Sequence, residues 1–132
     1  MAPGAATQDR LGKGSEDGYA PEWKGNAAVA WTGRVVTASL SGHYIGSYED
    51  YGATTRRIGN FWTFDVNARY DLREAFASSF TRSLGLYANV GVRNLTDKLG
   101  EYSNFGAVPW GYDPSQADMF GRYVYVQLGG RL

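Results

Sequence analysis

From Lys24 onward, hydrophobic residues recur at every second position. Ala27, Val29 and Trp31 alternate with small or polar neighbours, and Thr32-Gly33 supplies a tight turn before the next run. That run sets Val36, Ala38, Leu40, Gly42 and Tyr44 on one side and Val35, Thr37, Ser39, Ser41 and His43 on the other. The third is the clearest: Trp62, Phe64, Val66, Ala68, Tyr70 and Leu72 against Thr63, Asp65, Asn67, Arg69 and Asp71. A fourth run sets Leu84, Leu86, Ala88, Val90 and Val92 against Gly85, Tyr87, Asn89, Gly91 and Arg93. The fifth sets Val124, Val126, Leu128, Gly130 and Leu132 against Tyr123, Tyr125, Gln127, Gly129 and Arg131. Successive side chains of a strand point to opposite faces, so a period of two over this length excludes a helix. The pattern predicts an all-β fold: an antiparallel meander near residues 24–32, 34–48, 57–72, 83–95 and 121–132, neighbours paired in sequence order.

The connections differ from one another. Residues 1–22, rich in Gly, Ala, Pro and charge without periodicity, read as a loop or disordered lead-in, and residues 23–132 as the strand region. No charged start followed by an apolar core stands at the beginning, so no secretory signal is read there. Arg73 to Phe80 has fair helix propensity and admits one helical turn, although a turn region is the expectation. The connection from Asp97 to Phe120 carries Pro109, Pro114, Tyr102, Phe105, Trp110 and Tyr112. It is too long for an idle hairpin loop, and loops of that length are usually functional or disordered. It is expected to be the least ordered part after the lead-in.

Composition agrees with strands and narrows the chemistry. Ten tyrosines, four tryptophans and eighteen glycines beside two methionines suit aromatic-rich strands joined by glycine-bearing turns. With no cysteine, neither a disulfide nor a thiolate metal site can form. Thirteen basic residues balance thirteen acidic ones, so there is no basic field for nucleic acid. The longest strictly apolar run, Ala27 to Trp31, falls far short of the roughly 20 residues that a spanning helix needs.

Alternation alone suits a soluble sandwich or a barrel in lipid, and three features favour the barrel. The apolar faces of runs three to five carry no charge, while the opposite faces carry Asp65, Arg69, Asp71, Arg93 and Arg131, as where one side meets lipid and the other a wet lumen. Trp62, Tyr70 and Tyr44 lie toward strand ends, as in interfacial girdles. Connections also alternate long and short, which puts the 97–120 and 49–57 loops outside and Thr32-Gly33 on the periplasmic side. Five strands do not close a barrel, whose smallest single-chain form has about eight, and an open edge in hydrocarbon leaves backbone groups unpaired. The expectation is therefore a fragment of a larger barrel, preferred over self-assembly of copies.

Short segments in a particular order carry a family resemblance. Pro21-Glu22-Trp23-Lys24-Gly25-Asn26, Trp31, and Gly42-His43-Tyr44-Ile45-Gly46-Ser47-Tyr48 are similar to late barrel strands of TonB-dependent outer-membrane receptors. Ile58-Gly59 followed by Thr63, Asp65 and Tyr70 resembles the next strand of that family. Val92-Arg93-Asn94-Leu95-Thr96-Asp97-Lys98 resembles its strand-to-loop junction, and Gly111-Tyr112-Asp113 with Gly121-Arg122 resembles the approach to its final strand. The match covers about residues 20–132. It implies a barrel of about 22 strands plugged by a separate N-terminal domain, in the bacterial outer membrane, taking up scarce solutes such as iron chelates, cobalamin or oligosaccharides. The implied partners are outer-membrane lipid, the remaining strands, the plug, and TonB only through parts upstream of this chain. The chain alone is not expected to transport. In one departure, Leu132 stands where the family usually ends on an aromatic residue.

Candidate chemistry is sparse. His43 is the only histidine and reads as structural, lacking a second histidine or a cysteine for a metal. Asp113, Asp118 and Glu101 offer oxygen ligands, but their spacing matches no calcium loop, and solvated loop charge is the better reading. Gly12-Lys13-Gly14 lacks phosphate-loop spacing, and Asn94-Leu95-Thr96 is a glycosylation pattern without meaning in a bacterial barrel. Asp65 and Asp71 share a face six residues apart, roughly 20 Å and too far to act on one substrate bond. No cofactor and no enzyme is expected. Trp110 and Tyr112 are the candidates for solute contact. The competing reading is a small soluble β-sandwich whose loop aromatics bind sugar or peptide.

Overall fold

Alternating residues form strands where their backbone groups find a neighbouring ladder. In the computed structural model, which describes residues 11–12, 21–51, 56–76, 84–104, 111–114, 116–117 and 119–130, seven segments do so. Five of them, β1 (Lys24–Thr32), β2 (Val36–Ile45), β5 (Phe61–Asp71), β6 (Tyr87–Arg93) and β7 (Tyr123–Gly129), make one antiparallel sheet in the order β1-β2-β5-β6-β7. The other two, β3 (Tyr48–Glu49) and β4 (Arg57–Ile58), pair only with each other. The meander in sequence order is as the alternation predicts, and the sheet is not closed: β1 and β7 are its edges.

Strand limits are narrower than the pattern suggests, for local reasons. β2 stops at Ile45, short of 48, because Gly46 donates its N–H to Trp23 O at 2.8 Å and Tyr48-Glu49 leaves for the small hairpin. Arg57-Ile58 pairs there too, so β5 begins at Phe61 and not at 57. Leu84-Gly85 is a turn, with Gly85 at φ 49°, which delays β6 to Tyr87. Asn94, at φ 50°, ends β6, since a left-handed residue cannot continue a strand and asparagine tolerates that conformation better than most. The first turn is closed by Gly33 N–H to Val36 O at 2.8 Å, which takes Val35 out of the second run. Residues 1–10 and 13–20 of the lead-in, and Arg131 and Leu132, lie outside the described residues.

Leu72–Ala75 forms a four-residue helix, α1, where a turn region is expected. Asp71 caps it: one side-chain oxygen accepts from Arg73 N–H at 2.9 Å and Glu74 N–H at 3.3 Å, satisfying donors that a helix start leaves free.

Chain contacts divide the protein into two units. The sheet unit comprises Gly25–Tyr44, Trp62–Leu99 and Phe120–Leu132; the loop unit comprises Met1–Lys24, Ile45–Phe61 and Gly100–Met119. Within the sheet unit, cross-strand register puts like with like. Val66, Val92 and Val124 form one transverse row, Ala68, Val90 and Val126 a second, and Tyr70, Ala88 and Leu128 a third. The intervening rows are Asn67-Gly91-Tyr125, Arg69-Asn89-Gln127 and Asp71-Tyr87-Gly129. The apolar rows are not a buried core: Val126 is 68% and Leu128 75% exposed, and Val29, Trp31, Trp62 and Val90 on the same pattern are exposed as well. Among the described residues the buried hydrophobic side chains are Tyr48, Tyr51 and Ile58, all in the loop unit.

Candidate functional site

The polar face of the sheet unit is built from glycines that let tyrosines lie flat. Gly91 faces Tyr125 across the β6–β7 ladder, and a Cβ on Gly91 would collide with the Tyr125 ring. Tyr125 thereby reaches past β6, where its hydroxyl accepts from Asn67 Nδ2 of β5 at 2.9 Å. Four register positions along, the arrangement is reversed. Tyr87 lies across Gly129, and the Arg69 guanidinium sits 3.7 Å over the centre of the Tyr87 ring. Gly91 and Gly129, which the alternation places on the polar face, are thus the floor under two aromatic rings.

At the other end of this face a polar row crosses four strands. Asn26 Oδ1 of β1 lies 2.8 Å from His43 Nδ1 of β2, and His43 Nε2 lies 3.5 Å from Asp65 Oδ2 of β5. Arg93 Nε of β6 lies 3.8 Å from that same oxygen, while the other, Oδ1, accepts from Asn94 N–H at 2.9 Å. Asp65 is therefore a member of an inter-strand network, and Asp71 a helix cap.

A clasp closes the base of the long connection. Asn94 accepts through Oδ1 from Lys98 N–H at 3.0 Å and donates through Nδ2 to Lys98 O at 2.8 Å and to Phe120 O at 3.4 Å. Asp97, at φ 55°, accepts through Oδ1 from Arg122 N–H at 2.6 Å, and Arg122 Nη2 lies 3.9 Å from its Oδ2. Gly121 leaves room for this contact, since a Cβ there would come within 2.6 Å of Asp97 Oδ1. Asn94 is occupied structurally, and the two junction segments singled out in sequence, 92–98 and 121–122, meet here.

The loop unit is organised around a buried carboxylate. Asp50 is 2% exposed, and its Oδ1 accepts from Tyr51 N–H at 2.9 Å, Ser103 Oγ–H at 2.7 Å and Asn104 N–H at 3.0 Å. Segments more than fifty residues apart are thereby joined. Asp113, 1% exposed, accepts from the Tyr48 hydroxyl at 3.4 Å, and its backbone carbonyl receives Ala117 N–H at 3.0 Å. Glu101 accepts from Gly59 N–H at 3.1 Å. Tyr102 carries the Arg56 guanidinium 5.0 Å from its ring centre, and Ser103 N–H donates to Gly111 O at 3.0 Å. The described stretches of the 97–120 connection are thus packed against partners, while residues 105–110, 115 and 118, on which part of the expectation of low order falls, lie outside the described residues.

Of the two solute-contact candidates, Tyr112 is half-buried in the loop unit and Trp110 lies outside the described residues, as does Asp118. Glu101 and Asp113 are engaged separately, and among the described residues no group of three or more His, Asp or Glu is placed to hold a metal ion. Two features were missed in sequence. The cap at Asp71 had a local signal, an aspartate three residues before Glu74, which is the spacing of a capping box. Asp50 had none, because Ser103 and Asn104, which it joins to Tyr51, are distant in the chain.

No protein-family model, no curated protein and no solved structure matches the chain.

Proposed function

We propose that the chain supplies the C-terminal wall strands and outer loops of a TonB-dependent receptor in the bacterial outer membrane, which takes up a scarce solute. The observation that carries this reading is the inversion of burial. Rows of Val, Ala, Leu and Tyr, uncharged throughout, stand half-buried to exposed on one face of the sheet, with Tyr70, Val90, Val124, Val126 and Leu128 exposed, and Asp65, Asn67, Arg69 and Asn89 lie on the other. Transferred into a bilayer, such a face loses its water, at about 25 cal/mol per Å² of apolar area, and the ladder bonds already satisfy the backbone. The Tyr44 and Trp62 rings, 4.6 Å apart, with Phe64 stacked 6.0 Å from Trp62, give the aromatic cluster expected near a headgroup layer. The unpaired edges of β1 and β7 then meet the remaining strands of the barrel. The plug and the TonB-contacting segment belong to parts upstream, and the chain alone does not transport. In a whole receptor, Trp110→Ala and Tyr112→Ala weaken solute uptake without lowering the amount of barrel in the membrane.

Spin labels test the faces. The chain has no cysteine, so single cysteines at 90, 126, 89 and 127 each carry one label. In phospholipid vesicles, oxygen dissolved in lipid should relax labels at 90 and 126, and a water-soluble nickel chelate those at 89 and 127. Labels at 90 and 126 shielded from both relaxers would make the apolar face a protein core, as in a soluble sugar- or peptide-binding sandwich, and the membrane reading would be wrong.

A further inference from the structure

Beside α1 the polar face opens into a concavity of about 480 Å³ lined by Arg69, Asp71, Arg73, Gly85, Tyr87 and Gly130. Its charges are unequally committed. Asp71 gives one oxygen to the amides of α1 and has Arg73 Nη2 3.9 Å from the other. Arg73 is shared further with Glu74, its Nε 3.9 Å from Oε1. Arg69 has no carboxylate within ion-pairing distance among the described residues; what holds it is the face of Tyr87, fixed in turn by lying across Gly129. A guanidinium laid flat on a ring uses its face for the contact and keeps its rim of N–H donors for hydrogen bonds. Such a rim matches the two oxygens of a carboxylate or phosphate.

We propose that this concavity is a binding site for a carboxylate, gripped bidentately by the rim of Arg69, with Arg73 contributing a second positive charge. The two guanidinia are offset in part by the Asp71 carboxylate and by Glu74 beside Arg73, and the small positive charge that Arg69 keeps suits a monoanion better than a phosphate dianion. Gly85 and Gly130 supply no side chain, so the volume stays open for the group that bears the carboxylate. The site rests on the polar face alone, so it stands whether lipid or protein covers the opposite face. Either a free carboxylic acid or an acidic side chain on a polypeptide presents the required group.

The test follows the arginine Nε–H signals of the isotope-labelled full chain in detergent micelles, the Arg69 signal being assigned as the one lost in Arg69→Lys. Acetate, inorganic phosphate and a blocked peptide containing one glutamate are titrated at constant ionic strength, which removes general screening. The Arg69 signal should move saturably with acetate. The Arg69→Lys variant, followed through the Arg73 signal, should bind about tenfold more weakly, since lysine lacks the planar fork. Tyr87→Leu should weaken binding severalfold by releasing the guanidinium, and Arg93→Lys on the same face should leave it unchanged. Tighter binding of the peptide than of acetate assigns the site to a polypeptide, and equal binding assigns it to a free acid. The proposal is overturned by an Arg69 shift that never saturates and runs parallel to that of Arg93, by phosphate binding tighter than acetate, or by unchanged affinity in Tyr87→Leu.

Discussion

In the loop unit a carboxylate, Asp50, is 2% exposed; in the sheet unit a leucine, Leu128, is 75% exposed. The contrast follows from how each unit satisfies its backbone. In the sheet, ladder bonds between β5, β6 and β7 pair main-chain groups regardless of side chains, so the apolar rows are free to face outward. Among the described residues of the loop unit the one strand pairing is the two-residue ladder of β3 and β4, and most other N–H groups must find acceptors elsewhere. Asp50 collects the amides of Tyr51 and Asn104 and the Ser103 hydroxyl, and Glu101 takes that of Gly59. A buried acid is the natural solution there, because a carboxylate offers about four acceptor positions in one side chain. Regular structure and burial are thus separate properties in this chain, and the polar unit is the one with the interior.

The largest expected effect breaks that interior. Asp50→Ala leaves three donors without their acceptor, each costing about 1–3 kcal/mol, so the loop unit loses on the order of 3 kcal/mol or more. Amides of 47–51 and 101–104 should exchange faster while those of β6 and β7 hold; equal acceleration in both would show that the two units are one cooperative structure. Next comes the outward face. In a bilayer, Val126→Arg should cost about 2–4 kcal/mol in a denaturant titration, and Gln127→Arg, one residue along on the polar face, much less. A similar loss at both positions would remove the distinction between the faces.

Smaller changes refine how the polar face is built. Gly91→Ala drives a methyl into the Tyr125 ring and should cost about 1–3 kcal/mol. Combining it with Tyr125→Leu should cost less than the sum of the two, because the clash disappears with the ring; simple additivity would mean that the ring does not lie over Gly91. Smallest is the cap: Asp71→Ala should destabilise α1 by about 1 kcal/mol, seen as faster exchange at the Arg73 and Glu74 amides with little change in β5.

Much of the sheet unit is legible in the sequence. Val66, Ala68 and Tyr70 alternate with Asn67, Arg69 and Asp71, and the register aligns each set with its counterpart on β6. A slip of one residue would put Asn67 beside Val92, so the pattern constrains pairing as well as face. The same reasoning overran the ends of β2, β5 and β6, because periodicity continues through Tyr48, which already belongs to the small hairpin, and Leu84, which lies in a turn. The solute-contact candidates rested on aromatic content alone, which carries no geometry.

What the sequence by itself determined is therefore the class of element, the two faces and the order of the strands. These follow from the alternation of covalent bonds along an extended chain, a property each residue shares with its immediate neighbours. Only the tertiary structure decided that Tyr87 lies over Gly129 and carries Arg69, that Asp50 joins Tyr51 to Ser103, and that Asp97 meets Arg122. Each of those contacts links residues far apart in the chain, and no local pattern announces which donor a distant acceptor will meet. The contacts of Asp50 exist because an unpaired buried polar group costs more than the ordering needed to pair it.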